Sequence, residues 1–302
     1  MKKLIIFIII ALLAGTIYLF RNNIKEYLIS VAIGRNKEVT IGEKNKYYRD
    51  YDFQFVQNTD NFTPQSQQDI YNIFYTVINA GKDEFTFFCP KEYENCTKEI
   101  QNLANDQTTL SDINNYVHPY NSFSNIETAY DTYGKITITI EKIYSEEDIN
   151  QINQKVDELS KKLINTNDTE YNNIKRIHDY IIDTTKYDSD RSENNIINYK
   201  SDTAYGPLFE GYAICGGYTD LMQLFLEKMN IKSYRVSSDE HVWNAVNYNN
   251  TWLNLDLTWD DPVTNDGSNY LDHKFFLIDT KTLLSIEKNE HDFDINHYKE
   301  LA

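Results

Sequence analysis

The chain opens with a run from Leu4 to Phe20 that carries no charge and is bracketed by Lys2, Lys3 and Arg21. A helix of that length spans roughly 25 Å, slightly short of the ~30 Å hydrocarbon core, and the flanking Lys and Arg can snorkel across the difference. The run predicts an uncleaved membrane anchor over residues 1–22. A signal peptide cleaved near Ala14-Gly15 is the rival, but the apolar run continues past that point. Residues 23–45, with Gly34 and Gly42, read as a juxtamembrane linker. Beyond it, Ile70, Ile73, Phe74, Val77 and Ile78 recur at helical spacing. Thr63-Pro64 reads as the N-cap and first position of that helix, and Gly81 as its stop. Glu84–Phe88 and Lys135–Ile143 read as strands, the second alternating Ile136, Ile138 and Ile140 against polar residues.

Ser145-Glu146-Glu147-Asp148 has the form of a capping box. Ile149, Ile152, Val156, Leu159 and Leu163 follow at 3-4-3-4 spacing, an amphipathic helix. A second helix runs from about Asp168 to Asp183, with Ile174, Ile177 and Ile181 facing in, and the polar stretch 186–204 reads as loop. Thr219 to Met229 is helical. His241–Val246 and Trp252–Leu257 alternate about Asn249-Asn250, a hairpin turn. The fold class is therefore α+β: a smaller module over residues 46–144, then a second domain over 145–302.

Composition narrows the function. With 41% hydrophobic and 25% charged residues, a packed core is expected rather than disorder. A formal charge of −17 leaves too few cations for a phosphate backbone, so nucleic acid is not a partner. Three cysteines make neither a disulfide scaffold nor a four-ligand zinc set. No metal and no cofactor is expected. Trp259-Asp260-Asp261-Pro262 reads as a turn, and His273, His291 and His297 have no ligand spacing to one another. His178 beside Asp179 reads as a helix-packing or capping residue.

The chemistry concentrates after residue 204, where four of the ten glycines and all three tryptophans lie. Cys215, in Ile214-Cys215-Gly216-Gly217-Tyr218, falls at or just before a helix start. Unpaired N–H groups and the positive end of the helix dipole favour an anion there. On spacing alone, a buried structural cysteine and a reactive thiol fit equally. His241 changes that balance. A two-residue loop at 249–250 pairs Trp243 with Asp256 and His241 with Thr258, so His241 and Asp256 share a face as diagonal neighbours, roughly 7–8 Å apart at Cα. Cys215, His241 and Asp256 then supply nucleophile, base and orienter. Trp243, Gly216, Gly217 and Tyr218 are expected to line the pocket.

Three ordered blocks carry a family resemblance: Ile214–Tyr218, then His241-Val242-Trp243-Asn244, then Leu255-Asp256-Leu257-Thr258-Trp259-Asp260-Asp261-Pro262. They resemble the membrane-associated bacterial branch of the transglutaminase-like superfamily, as do Ile177-His178-Asp179-Tyr180 and Tyr187-Asp188 upstream. The resemblance implies a papain-like α+β core in which a Cys-bearing helix packs on an antiparallel sheet bearing His and Asp. It implies a Cys215 nucleophile, a His241 base and an Asp256 partner, acting on protein or peptide carboxamides through a thioester. Crosslinking, deamidation and hydrolysis remain open, as do a papain-like cell-surface peptidase and a non-catalytic surface-binding module that keeps the fold. With Cys215 assigned as the reactive thiol, Cys89 and Cys96 remain as a pair that a short loop can close into a disulfide. Such a bond persists in an oxidising compartment, so the catalytic domain is expected outside the cell membrane. Two unrelated cysteines are the alternative.

Overall fold

The computed structural model describes residues 13, 15–25, 27–28, 31, 38–262 and 270–302. The expected anchor lies largely outside the described residues, and no helix among them is long and apolar enough to cross a membrane.

Helix α1, Gln67–Asn79, begins at Ser66 and not at Thr63. Ser66 Oγ accepts the Asp69 N–H at 3.2 Å while Asp69 Oδ2 accepts the Gln65 N–H at 2.8 Å. This reciprocal closure satisfies two donors, which the Thr63-Pro64 start would leave open. Gly81 ends the turn with φ +70. Strand β1 is Glu84–Phe88, followed by helices α2, Cys96–Asn105, and α3, Gln107–Asn115. Strands β2, Phe123–Tyr130, and β3, Lys135–Lys142, complete an antiparallel sheet of order β1-β3-β2. Phe85 opposes Ile138 and Phe87 opposes Ile136, so the predicted alternation of β3 faces the core. No residue of β2 is buried, which is why its sequence shows no strand alternation.

Helix α4, Glu146–Leu163, is capped by Ser145, and α5, Glu170–Thr184, by Thr169. The polar stretch after α5 is not all loop. It holds the two-residue strand β4, Lys186–Tyr187, and the single-turn helix α6, Ser189–Asn194, capped by the Asp188 side chain. Strand β4 pairs in parallel with β5, Tyr212–Ala213. Helix α7, Cys215–Lys228, follows at once. A second antiparallel sheet has the order β6-β7-β8, from Ser233–Ser237, Val242–Tyr248 and Thr251–Leu255. Asn249 and Asn250 both take positive φ, 52 and 59, the geometry of a two-residue type I′ loop. The register, Asn244 against Leu255 and Ala245 against Asn254, is the one that loop implies.

This sheet is buried on both sides. Val246 and Leu255 join a core with α4, α5 and α7. Tyr234, Val236, Trp243 and Ala245 join the core built from residues 41–140. Arg235 on β6 bridges the two: it pairs with Asp220 of α7 at 3.2 Å and donates to the Asn114 carbonyl of α3 at 2.8 Å. The first module thus covers one face of the sheet, and the site lies at the strand ends where β7 starts and β8 stops.

Candidate active site

Cys215 is the first residue of α7, with Ile214 as an extended N-cap. The N–H groups of Gly217 and Tyr218 already donate to the Ile214 carbonyl, at 3.0 and 3.3 Å. Those of Cys215 and Gly216 are the two the helix start leaves without an intrahelical acceptor. Glycine at 217 lets this turn press onto the preceding loop: a Cβ there would lie 2.4 Å from the Ser201 carbonyl oxygen. The turn is also latched to the sheet. Thr219 Oγ1 donates to the Val242 carbonyl at 3.0 Å, and Asn244 Nδ2 donates to the Thr219 carbonyl at 3.1 Å. Two hydrogen bonds therefore set the start of α7 against the start of β7, and so Cys215 against His241.

His241 sits one residue before β7, buried, with its ring stacked on Trp243 at 5.7 Å. Its Nε2 lies 2.6 Å from Asp256 Oδ2. Asp256 ends the strand pattern earlier than the alternation through Leu257 predicts. Its Oδ1 accepts the Thr258 and Trp259 N–H groups at 2.9 and 3.2 Å, so it caps a short helix α8, Leu257–Asp260. An Asp that can satisfy two open donors terminates a strand in favour of a helical turn. One carboxylate thus faces the imidazole with one oxygen while the other is fixed by backbone.

The electrostatics follow from this geometry. Burial pulls the His241 imidazole down, but the Asp256 charge and hydrogen bond, with a further hydrogen bond to Cys215, outweigh it and raise the group from 6.5 to about 10. Burial alone would raise the Asp256 carboxyl; His241 and His291 outweigh it and hold the acid well below its usual range. With Nε2 committed to Asp256, Nδ1 is the His241 nitrogen left for Cys215.

His291 has no precedent in the sequence pattern. It is fully buried, donates from Nε2 to the same Asp256 Oδ2 at 2.9 Å, and meets Glu287 Oε2 through Nδ1 at 3.1 Å. Its ring stacks on Phe275 at 5.5 Å and meets Trp243 edge-on at 4.8 Å. A lone histidine 35 residues beyond Asp256 gives no periodic or motif signal, so only its docking reveals it.

The residues expected to line a pocket are mostly packed. Trp243 is buried, with its indole N–H donating to Asn254 Oδ1 at 2.9 Å. Tyr218 is buried with its hydroxyl donating to Asp261 Oδ2 at 2.5 Å. Gly217 is spent on the close approach to Ser201, and half-buried Gly216 lies against Asp202, whose carbonyl oxygen a Cβ would meet at 2.9 Å. Trp243 and Tyr218 are thus packed side chains, and the two glycines let the start of α7 approach the 201–202 loop.

His178 does pack within a helix, but it is not alone. Its two ring nitrogens face Asp179 at 3.0 Å and Asp260 at 3.2 Å, and His273 reaches Asp179 at 2.7 Å. Cys89 and Cys96 form a disulfide with Cα atoms 5.7 Å apart, and Cys215 is the free cysteine.

Comparison with known proteins gives a family match over part of the chain. Residues 157–257 match the transglutaminase-like superfamily core, a span that holds Cys215, His241 and Asp256 and excludes His273 and His291. Comparison with curated proteins gives no match. Among solved structures, one described as a TGase is 12% identical with a TM-score of 0.34 and covers 45% of each chain. A Cytophaga hutchinsonii protein provisionally named a cysteine protease is 12% identical with a TM-score of 0.29, covering 51% of this chain and 69% of the other. The chain spans less than half the length of the first of these.

Proposed function

We propose that this chain, whose residues 157–257 form a transglutaminase-like domain, is a cysteine-dependent acyltransferase acting on protein or peptide carboxamides. The observation that carries this is the buried His241, held 2.6 Å from Asp256 at the start of a strand that Thr219 and Asn244 latch to the helix Cys215 opens. In this reading the Cys215 proton already rests on His241 Nδ1, and the Cys215 thiolate attacks the carboxamide carbon. The oxyanion that forms draws on the Cys215 N–H at the helix start. His241 returns the proton to the leaving nitrogen as the C–N bond breaks, leaving a thioester. An amine or water then attacks the thioester carbon, giving up its proton through His241, and the thiol leaves. Asp256 holds the imidazole orientation throughout and stabilises its charged form.

An external location, tethered by the apolar N-terminal run, belongs to the same proposal. The Cys89–Cys96 bond supports an oxidising compartment, and the sequence of residues 4–20 supports the tether.

The deciding experiment incubates the full chain with a glutamine-containing protein and a labelled primary amine, followed by mass spectrometry. Amine incorporation identifies transamidation, deamidation or cleavage identifies water as acceptor, and Cys215→Ser should abolish whichever product forms. No product with either acceptor, together with a Cys215 no more reactive than an ordinary thiol, would overturn the proposal.

A further inference from the structure

We propose that His178, Asp179 and His273 form a binding site for a divalent transition-metal ion of the zinc type, separate from the Cys215 centre. Three ligand atoms already converge. His178 Nδ1 lies 3.0 Å and His273 Nε2 lies 2.7 Å from the same Asp179 oxygen, Oδ1. One ligand atom from each residue falls within 4.8 Å of the others. Zinc bonds of about 2.0–2.2 Å set tetrahedral ligand atoms roughly 3.3 Å apart, so each imidazole would move away from Asp179 Oδ1 by about 0.3–0.6 Å to admit the ion.

The surroundings are those of a prepared ligand set. His178 Nε2 faces Asp260 Oδ2 at 3.2 Å, and Asp260 is fully buried with its other oxygen accepting the Phe275 N–H at 3.0 Å. A carboxylate behind an imidazole takes the proton on that nitrogen and leaves the opposite lone pair for a metal. Lys175 Nζ holds Asp179 Oδ2 at 2.5 Å, so Oδ1 is the oxygen left for coordination. The side chains of Asp179 and His273 are 25% and 35% exposed while His178 is buried, which gives an ion a route in from solvent and an open fourth position. Two imidazoles and one carboxylate suit zinc and its neighbours; calcium and magnesium prefer all-oxygen sites. The ion would tie α5 to the segment leading to Phe275, next to α8 and the Asp256 cap.

The test uses the full chain, stripped of metal by chelator and titrated with Co2+ as a spectroscopic stand-in for zinc. One equivalent should bind with visible d–d bands of a low-coordinate nitrogen–oxygen site, and Zn2+ should displace it and raise the melting temperature. His273→Ala, at a partly exposed position that does not threaten the fold, should lower affinity at least about 10-fold and abolish the Zn2+ shift. Asp260→Asn keeps all three ligands and should weaken binding about 10–100-fold. Cys215→Ser should change neither spectrum nor affinity. The proposal is overturned by any of three results: no Co2+ binding, affinity unchanged in His273→Ala, or a sulfur-to-cobalt charge-transfer band that Cys215→Ser removes. The last would put the ion on Cys215, His241, Asp256 and His291 instead.

Discussion

His291 and Asp256 are joined Nε2 to Oδ2 at 2.9 Å, so the carboxylate that faces His241 is also held by a second imidazole. Glu287 steadies His291 from behind at 3.1 Å. The result is a chain of five groups, Cys215, His241, Asp256, His291 and Glu287, in which each orients its neighbour.

Cys215 alkylation should grade along that chain without needing any substrate. Hydrogen bonds to charged groups contribute about 1.5–3 kcal/mol, roughly 10–100-fold in a rate that depends on them fully. His241→Ala should slow iodoacetamide alkylation near neutral pH by at least about 10-fold. His291→Phe, which keeps the ring stacked on Phe275, should fall between that variant and wild type, with Glu287→Gln close to wild type. Equal rates in wild type and His241→Ala would remove the thiol–imidazole pairing from the account.

Stability should fall with rising pH through the His241 titration. The imidazole is held at about 10 in the folded chain against 6.5 for an unperturbed histidine. A raised base contributes stability that is complete below the unfolded value and lost as pH climbs through the folded one. The window is therefore pH 6.5 to about 10, and the loss is on the order of 2–5 kcal/mol. Urea midpoints at pH 6 and pH 10.5 in a Cys215→Ser background, which removes the thiol titration, should show the drop. A His241→Gln partner curve should lack it; parallel curves would show that the imidazole carries no such charge.

Asp261 should behave in the opposite sense from an ion-paired carboxylate. Burial raises it from 3.8 to about 6, against the partial relief of the Tyr218 hydroxyl. The folded chain keeps this proton while the unfolded chain has lost it, so stability declines as pH rises from 3.8 to about 6. Asp261→Asn retains an acceptor for Tyr218 and never charges. It should be near neutral at pH 3.5 and stabilising by about 1–3 kcal/mol at pH 7.5. Denaturation of both proteins at the two pH values checks it, and destabilisation at pH 7.5 would show the charge to be wanted.

The disulfide should be countable. Unreduced protein isolated from its native source should show one free thiol, Cys215, rising to three on reduction after unfolding. Closing so short a loop contributes about 2–3 kcal/mol in the chain-entropy model. The Cys89→Ser, Cys96→Ser double variant should lose about that much in a chemical denaturation. Three thiols in the unreduced native protein would remove the argument for an oxidising compartment.

The chain by itself determines what local physics encodes. Helix α4 is set by the Ser145 cap and its 3-4-3-4 apolar spacing. The β7–β8 register is set by two asparagines tolerant of positive φ, and that register brings the ends carrying His241 and Asp256 together. Cys215, His241 and Asp256 were legible as candidates because a turn, a helix start and a hairpin constrain them within 42 residues of chain. Even there, the local competition at Asp256 between strand and helix cap could not be ranked from alternation alone. Strand β2 left no trace because no residue of it is buried. His291 against Asp256, and His273 against Asp179, depend on long segments returning to the same point, and a single histidine has no periodicity to announce where it docks. The same holds for Arg235, whose partners lie on α7 and α3. Spacing along the chain determines faces and turns; which distant faces meet is decided by the packing free energy of the whole core, and that is where the second histidines entered.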